Sequence, residues 1–403
     1  MSSPELEKLD RRRKLTSLSN VVLVNGRSSE SSQSHLELKI HERIDKEFPK
    51  PVKKEEAIIK EIKKRNLHFA ERNIKQHLDG EYFVQIEENV REKDVHLFHK
   101  FNDKNLDLME LLVMGDALQR AGVKSVTLYL PYIPYQRQDK KDDGRVPISA
   151  KLIFNLLNTS FGSRLKRIVT TDLHARQEQG YWDGSVDELS AVPEFAAYYR
   201  HLFREELSAD SSSVLVFSPD AGGAKRADYL ATLLKTRFHV LTKKRTGHGK
   251  AETKYYLDID IKDRKIILID DMIDSGSSLV GEYENGRQGP VQYLRSLEAD
   301  VHVCASHAIL SEKNRIAAEE RFRQAGVPVL FTDSVPEKES GYYQTNSDWM
   351  KVISLDYGLA KAFYCNQVGE SISEFLQSRE RRLQGKKLDF VVTDAYNGTL
   401  DVE

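Results

Sequence analysis

Only two cysteines, Cys304 and Cys365, occur among 403 residues. A disulfide framework is thereby excluded, and a reducing compartment fits. Neither sign of charge dominates: 61 Lys and Arg face 62 Asp and Glu, a net charge of −1. Composition therefore calls for neither a nucleic acid nor a membrane surface as partner. No apolar run approaches the roughly 20 residues needed to span a bilayer. The opening "MSSPELEKLDRRRKL" has no apolar region of the secretory kind, so a cytoplasmic location is the expectation. No GxxxxGK[ST] motif occurs, which excludes a P-loop. What remains is an ordinary apolar fraction, 39%, enough for two or three domains of about 150 residues each.

Residues 1–19 read as a polar tail with a basic cluster at Arg11–Lys14, and 44–66 as a charged surface insertion. "VVLVNG" (21–26) reads as a short buried strand. From Asp94 onward the pattern is regular. Strands are expected at 95–99, 125–132, 167–174, 213–218, 238–244, 265–271 and 300–310. Helices are expected at 106–122, 147–159, 193–208, 224–234 and 290–299. This alternation predicts an α/β protein with doubly wound, mostly parallel sheets in two tandem units.

Three expected strands end in chemically loaded loops. "IILIDDMIDSGSS" (266–278) carries a four-residue apolar run into Asp270, Asp271 and Asp274, then Ser275, Gly276, Ser277 and Ser278. The run reads as a strand buried on both faces. Open α/β sheets place ligands at the carboxyl ends of such strands. The acids suit ribose hydroxyls or a hydrated Mg²⁺, and residues 274–278 suit a terminal phosphate. "DLHARQEQGYWDGSVDEL" (172–189) offers Asp172 and His174, whose spacing predicts a shared strand face, with Asp183 and Asp187 further along the loop. "SPDAGGAKRA" (218–227) sets Asp220 on a tight glycine turn, which suits Mg²⁺ near phosphates. Two basic segments complement these acids. "YQRQDKKDDGR" (135–145) supplies Arg137 and Gln138, and "LTKKRTGHGKAETKYY" (241–256) supplies Lys243, Lys244 and Arg245. A basic loop of this kind is what phosphoryl transfer uses to neutralise developing charge.

From about residue 20 to residue 376 these motifs resemble the ribose-phosphate pyrophosphokinase, or phosphoribosyl pyrophosphate (PRPP) synthetase, family. "MELLVMGDALQRA" and "YIPYQRQDKKDDGRVPISAKL" are close to its consensus. "DLHARQEQGYWD" resembles its divalent-cation signature, "SPDAGGAKRA" its second metal turn and "TKKRTGHGKAE" its catalytic flexible loop. "DDMIDSGSS" resembles the ribose-phosphate loop shared with type I phosphoribosyltransferases. The resemblance implies two phosphoribosyltransferase-like domains, 20–190 completed by about 367–403, and 191–366. It implies ATP contacts from Arg137, Gln138, Asp142 and His174, and from Asp79 and Glu81 of a neighbouring subunit. It implies Mg²⁺ at His174, Asp220, Asp172 and Asp183, with Lys243 and Arg245 clamping the transferring group. Asp270, Asp271 and residues 274–278 would hold ribose 5-phosphate. The product would be PRPP, and the assembly a homo-oligomer, dimer or hexamer.

Four departures stand out. The family's ribose-phosphate loop reads Asp-Thr-x-Gly-Thr, whereas here Gly276 is displaced by one position. "VGEYENGRQGP" (280–290) then inserts residues, Arg287 among them, before the next helix. Together these leave room for a ribose with a bulkier 5′ group, such as ADP-ribose, as an alternative acceptor. His77 replaces a stacking Phe, and Arg176 replaces a small residue beside the family's allosteric site. A non-catalytic subunit and a PRPP-consuming transferase are weaker readings, since neither needs all the motifs above.

Overall fold

The computed structural model describes residues 21–25, 72–246, 252–282, 287–311, 313–339, 341–374, 392–393 and 399–400. The expectations for residues 1–19, for 44–66 and for most of the 379–403 tail fall outside these residues. The chain divides into two compact units: Met1–Leu189 with Leu355–Phe375, and Ser190–Ser354 with Leu376–Glu403.

In the first unit the strands are β1 (Val21–Asn25), β2 (Arg72–Gln76), β3 (Tyr82–Ile86), β4 (Asp94–Phe98), β5 (Ser125–Leu130), β6 (Leu165–Thr171) and β7 (Ser185–Leu189). Five of them form one sheet in the order β1-β4-β5-β6-β7. Every pairing in it is parallel. Parallel sheets are covered on both faces, which explains why Leu23, Leu97, Val126, Leu128 and Ile168 are all fully buried. The crossovers are α1 (Leu106–Arg120) and α2 (Ser149–Phe161). α1 buries Leu108, Leu111, Met114 and Leu118, a three-and-four spacing that makes one apolar face. β2 and β3 form a separate antiparallel hairpin. A helix at Asp356–Val368 returns to this unit. Its Gln367 Nε2 hydrogen-bonds the buried His96 ring, and its Asn366 donates to the Tyr129 hydroxyl at 3.3 Å.

The second unit begins with α3 (Val192–Leu202) and α4 (Arg204–Ala209), which break at Phe203 where one helix over 193–208 was expected. There follow β8 (Val214–Ser218), α5 (Ala224–Leu234), β9 (Arg237–Val240), β10 (Thr242–Thr246), β11 (Glu252–Tyr256), β12 (Lys265–Ile273), β13 (Gly281–Glu282) and β14 (Arg287–Gln288). Then come α6 (Pro290–Ser296), β15 (Asp300–Ala308), α7 (Arg315–Ala325), β16 (Val329–Thr332) and β17 (Met350–Ile353). The sheet is six-stranded, in the order β17-β16-β15-β12-β8-β9. All its pairings are parallel. Ile266–Ile269 are completely buried at its centre. The expected strand 238–244 is two strands, because Leu241 N–H turns to the Ser218 carbonyl (3.0 Å) and β10 leaves to pair with β11.

Chain order fixes where loops meet. From β8 the chain moves outward to β9, then recrosses to place β12 on the other side of β8. That reversal is a topological switch point, and the loops leaving β8 and β12 flank it.

Candidate functional site

In the first unit, the loop after β5 runs through two non-glycine residues in the left-handed region, Tyr135 (φ 65°) and Arg145 (φ 64°). Between them Arg137 and Asp142 are exposed and Gln138 is half-buried. Gln138 Oε1 accepts from Ser149 Oγ at 2.6 Å, which ties the loop to the start of α2. Asp79 and Glu81 sit exposed in the β2–β3 turn, where Asp79 Oδ1 accepts the Glu81 N–H at 3.1 Å. His77, in the same turn, meets Phe83 edge-on with centroids 6.5 Å apart.

The loop after β6 has a hidden scaffold. Three consecutive backbone N–H groups are taken by side chains: Leu173 by Glu188 at 3.0 Å, His174 by Gln136 at 2.7 Å and Ala175 by Glu178 at 3.0 Å. Gln177 Nε2 donates to Asp139 at 2.9 Å and Gln179 Nε2 to Glu188 at 2.5 Å. Gln136, Asp139 and Glu178 are buried. Burial pushes the Glu178 carboxyl up to about 8, against the lowering effects of the Ala175 N–H and His174. Its Oε2 finds no acceptor or donor among the described residues. The loop is thereby held from beneath while His174 and Asp183 face solvent.

Two expectations are corrected here. β6 ends at Thr171, and Asp172 turns left-handed (φ 41°) and is buried whereas His174 is exposed. The strand alternation that would put both on one face stops one residue too early. Asp187 likewise lies within β7 rather than in the loop, and it pairs with Arg167 at 2.5 Å. Strain of this kind costs about 1–3 kcal/mol per residue and collects at functional sites. Nothing in the sequence singled out Glu178, Gln136 or Asp139, because acids and amides in a Gly/Asp-rich stretch read as surface.

In the second unit, Asp220 leaves β8 exposed, and its Oδ1 accepts the Gly222 N–H at 3.0 Å. Ser218 Oγ donates to the Asp220 carbonyl at 2.6 Å, closing the turn. Across the switch point, Asp270 is half-buried and Asp271 buried at the end of β12. Burial and the Asp271 charge raise the Asp270 carboxyl above its ordinary range, with Arg226 opposing. Both Asp274 oxygens are engaged, one by Ser311 N–H at 2.8 Å and one by Asn314 Nδ2 at 3.0 Å. The Ser275 and Ser277 hydroxyls lie 3.0 Å apart. Gly276, at φ 71°, carries the turn. Among the described residues no acceptor takes the N–H groups of Ser275, Gly276 or Ser278. A cradle of unspent N–H groups around a left-handed residue is an anion-binding concavity.

The loop closes as one helical turn, with Val280 N–H on Gly276 O and Gly281 N–H on Ser277 O, and then becomes the hairpin β13–β14. No helix follows until Pro290. Gly289 passes so near this turn that an added Cβ would lie 2.4 Å from Leu279 O. β10 and β11 pair with Lys243 opposite Tyr255 and Arg245 opposite Thr253. The side chains of Lys243, Lys244, Arg245 and Arg287 lie outside the described residues.

Among the described residues no three His, Cys, Asp or Glu side chains converge as a metal cage. The first unit offers the exposed His174 with the exposed Asp183 on the same loop, and the second unit separately offers the exposed Asp220. An exposed carboxylate of this kind fits Mg²⁺, which keeps several waters and binds through one or two protein groups plus substrate phosphates.

The sequence matches the N-terminal domain of ribose phosphate pyrophosphokinase over residues 29–160 and the phosphoribosyl transferase domain over 185–282. A ribose-phosphate pyrophosphokinase of Fusobacterium nucleatum is 33% identical over 314 residues, 77% of this chain and 92% of its own length. Its Thermotoga maritima counterpart is 33% identical over 309 residues, 76% of this chain and 87% of its own. The crystal structure of phosphoribosylpyrophosphate synthetase from Mycobacterium smegmatis superposes with a TM-score of 0.67 at 29% identity, covering 86% of this chain and 98% of that one. Two parallel α/β units, an anion cradle at the switch point and relatives matched over most of their length place this chain in the ribose-phosphate pyrophosphokinase family.

Proposed function

We propose that this protein transfers the β,γ-pyrophosphoryl group of ATP to the anomeric hydroxyl of ribose 5-phosphate, giving PRPP and AMP. The observation that carries this reading is the 274–281 turn, whose N–H groups at Ser275, Gly276 and Ser278 are unspent beside two facing hydroxyls. That turn takes the acceptor's 5′-phosphate, and Asp270 and Asp271 take the ribose hydroxyls. Arg137, Gln138 and Asp142 hold ATP, with Asp79 and Glu81 supplied by a second copy in a homo-oligomer. The anomeric oxygen attacks the β-phosphorus, forming one P–O bond as the bond to the α,β-bridging oxygen breaks. AMP leaves with that oxygen, and the hydroxyl proton passes to solvent. Lys243 and Arg245 neutralise charge on the transferring group as it develops. His174 and Asp220, with Asp172 and Asp183 nearby in sequence, would hold Mg²⁺, which when bound screens the triphosphate oxygens.

The inserted hairpin β13–β14 favours one second reading, in which the acceptor is a ribose with a larger 5′ substituent such as ADP-ribose. The test is AMP release from Mg-ATP with each acceptor in parallel, products resolved by mass. Turnover with ribose 5-phosphate, lost at least a hundredfold in Lys243→Ala and Arg245→Ala, is the expected result. Preference for ADP-ribose would replace it with the second reading, and silence with both would overturn catalysis altogether.

A further inference from the structure

Phosphate loops ordinarily lean on the helix that follows them, whose N-terminus is worth roughly half a positive charge. Here that support is displaced. After Ser278 the chain makes a single turn and a two-stranded hairpin, and α6 begins only at Pro290. A cation arrives instead from another element. Arg321, on α7, donates from Nη1 to the carbonyl oxygen of Ser275 at 2.6 Å. The next residue, Phe322, is completely buried and lies beneath Gly276, where an added Cβ would meet its ring at 2.8 Å. α7 therefore underlies the cradle at two successive residues, and the guanidinium is bonded to the carbonyl of the Ser275–Gly276 peptide, whose N–H is unspent.

The other arginines of α7 are engaged with carboxylates. Arg315 faces Glu339 at 3.5 Å, and Arg323 pairs with Asp348 at 2.7 Å and Glu319 at 3.2 Å. No carboxylate of the described residues lies within ion-pair range of Arg321, whose hydrogen bond is to a neutral carbonyl. A guanidinium presents five donors in a fixed fork and stays charged at every working pH. One N–H fixes it to the loop, and the others retain capacity for an anion.

We propose that Arg321 is a specificity residue for the acceptor's 5′-phosphate, supplying a full positive charge where the displaced helix supplies none. The inference rests on the proposed ribose 5-phosphate reading and deepens it. It also applies to any acceptor that presents a phosphate at the same cradle.

The experiment is calorimetric titration of the full-length protein with ribose 5-phosphate and, separately, with Mg-ATP. Wild type, Arg321→Met and Arg321→Lys are compared, with kcat and thermal midpoint recorded for each. The expected result is a ten- to fiftyfold weaker ribose 5-phosphate Kd in Arg321→Met, with Mg-ATP affinity within twofold and kcat at saturation within threefold. Arg321→Lys, which keeps the charge but not the fork, recovers part of the loss. Unchanged ribose 5-phosphate affinity in Arg321→Met would overturn the proposal. So would an equal loss of Mg-ATP affinity and thermal midpoint, which marks a purely structural arginine. Wild-type protein that binds Mg-ATP but not ribose 5-phosphate would overturn the underlying reading, a failure visible before any variant is compared.

Discussion

The ring of Tyr293, on α6, stacks on Tyr255 of β11 with centroids 5.4 Å apart and planes 29° from parallel. β14 packs beside β11 as well. The hairpin bearing Lys243 and Arg245 is therefore rooted on the helix that follows the 274–281 turn. An aromatic pair of this kind contributes about 0.5–1.5 kcal/mol. Tyr293→Phe keeps the stack and is expected to leave kcat within about twofold. Tyr293→Ala loses it and is expected to lower kcat at least tenfold with a smaller change in Mg-ATP KM. Steady-state kinetics on the two variants checks this, and equal activity in both would separate the root from catalysis.

Two buried titrating groups in the first unit act at opposite ends of the pH scale. Burial holds the His96 imidazole down at about 3, so the unfolded chain takes up a proton near pH 6.5 that the folded one refuses. Stability from His96 is present above pH 6.5 and is lost as pH falls toward 3. Glu178 is the reverse, a carboxyl raised to about 8 and neutral in the folded state at pH 6. Between about pH 4.5 and 8 the unfolded chain releases a proton that the fold retains, so stability declines as pH rises through that window. Glu178→Gln is expected to flatten this alkaline decline by roughly 2 kcal/mol, on the scale of one buried carboxyl. Denaturant melts of both proteins at pH 5, 6.5 and 8 measure it, and parallel curves would exclude Glu178 as the source.

Gly276 and Gly222 offer a contrast in loop tolerance. Gly276 sits at φ 71° with Phe322 2.8 Å from where a Cβ would fall. At Gly222 the nearest atom to a Cβ would be Asp220 Oδ1, at 3.2 Å. Gly276→Ala is expected to cost about 1–3 kcal/mol and to abolish ribose 5-phosphate binding, since both backbone and packing must shift. Gly222→Ala is expected to change stability by under about 1 kcal/mol, the scale of an unstrained surface change. Thermal melts with and without ribose 5-phosphate distinguish the two.

Much of this architecture was legible in the sequence because it is written in local patterns. Ile266–Ile269 announced a strand buried on both faces, and Pro147 lay just ahead of a helix. The acids and small residues after β6, β8 and β12 marked the loops that carry the site. What escaped notice depends on contacts far apart in the chain. Arg321 lies in a charged helix face and is distinguished only by reaching Ser275 across 46 residues. Glu178 looks like any surface acid until tertiary packing closes over it. The β2–β3 hairpin leaves a local trace too, since Tyr82, Val84 and Ile86 alternate inward beside its polar turn.

The return of helix Asp356–Val368 to the first unit has a consequence for how the protein is made. Gln367 and Asn366 are the partners that His96 and Tyr129 need in order to be buried with their polar atoms satisfied. During synthesis they emerge only after the whole of Ser190–Ser354 has left the ribosome. The first unit is thus completed only after the second has all six strands of its sheet, which end at Ile353. A chain ending at residue 354 would carry every strand of the second unit's sheet, while the first unit's buried histidine would still lack its glutamine.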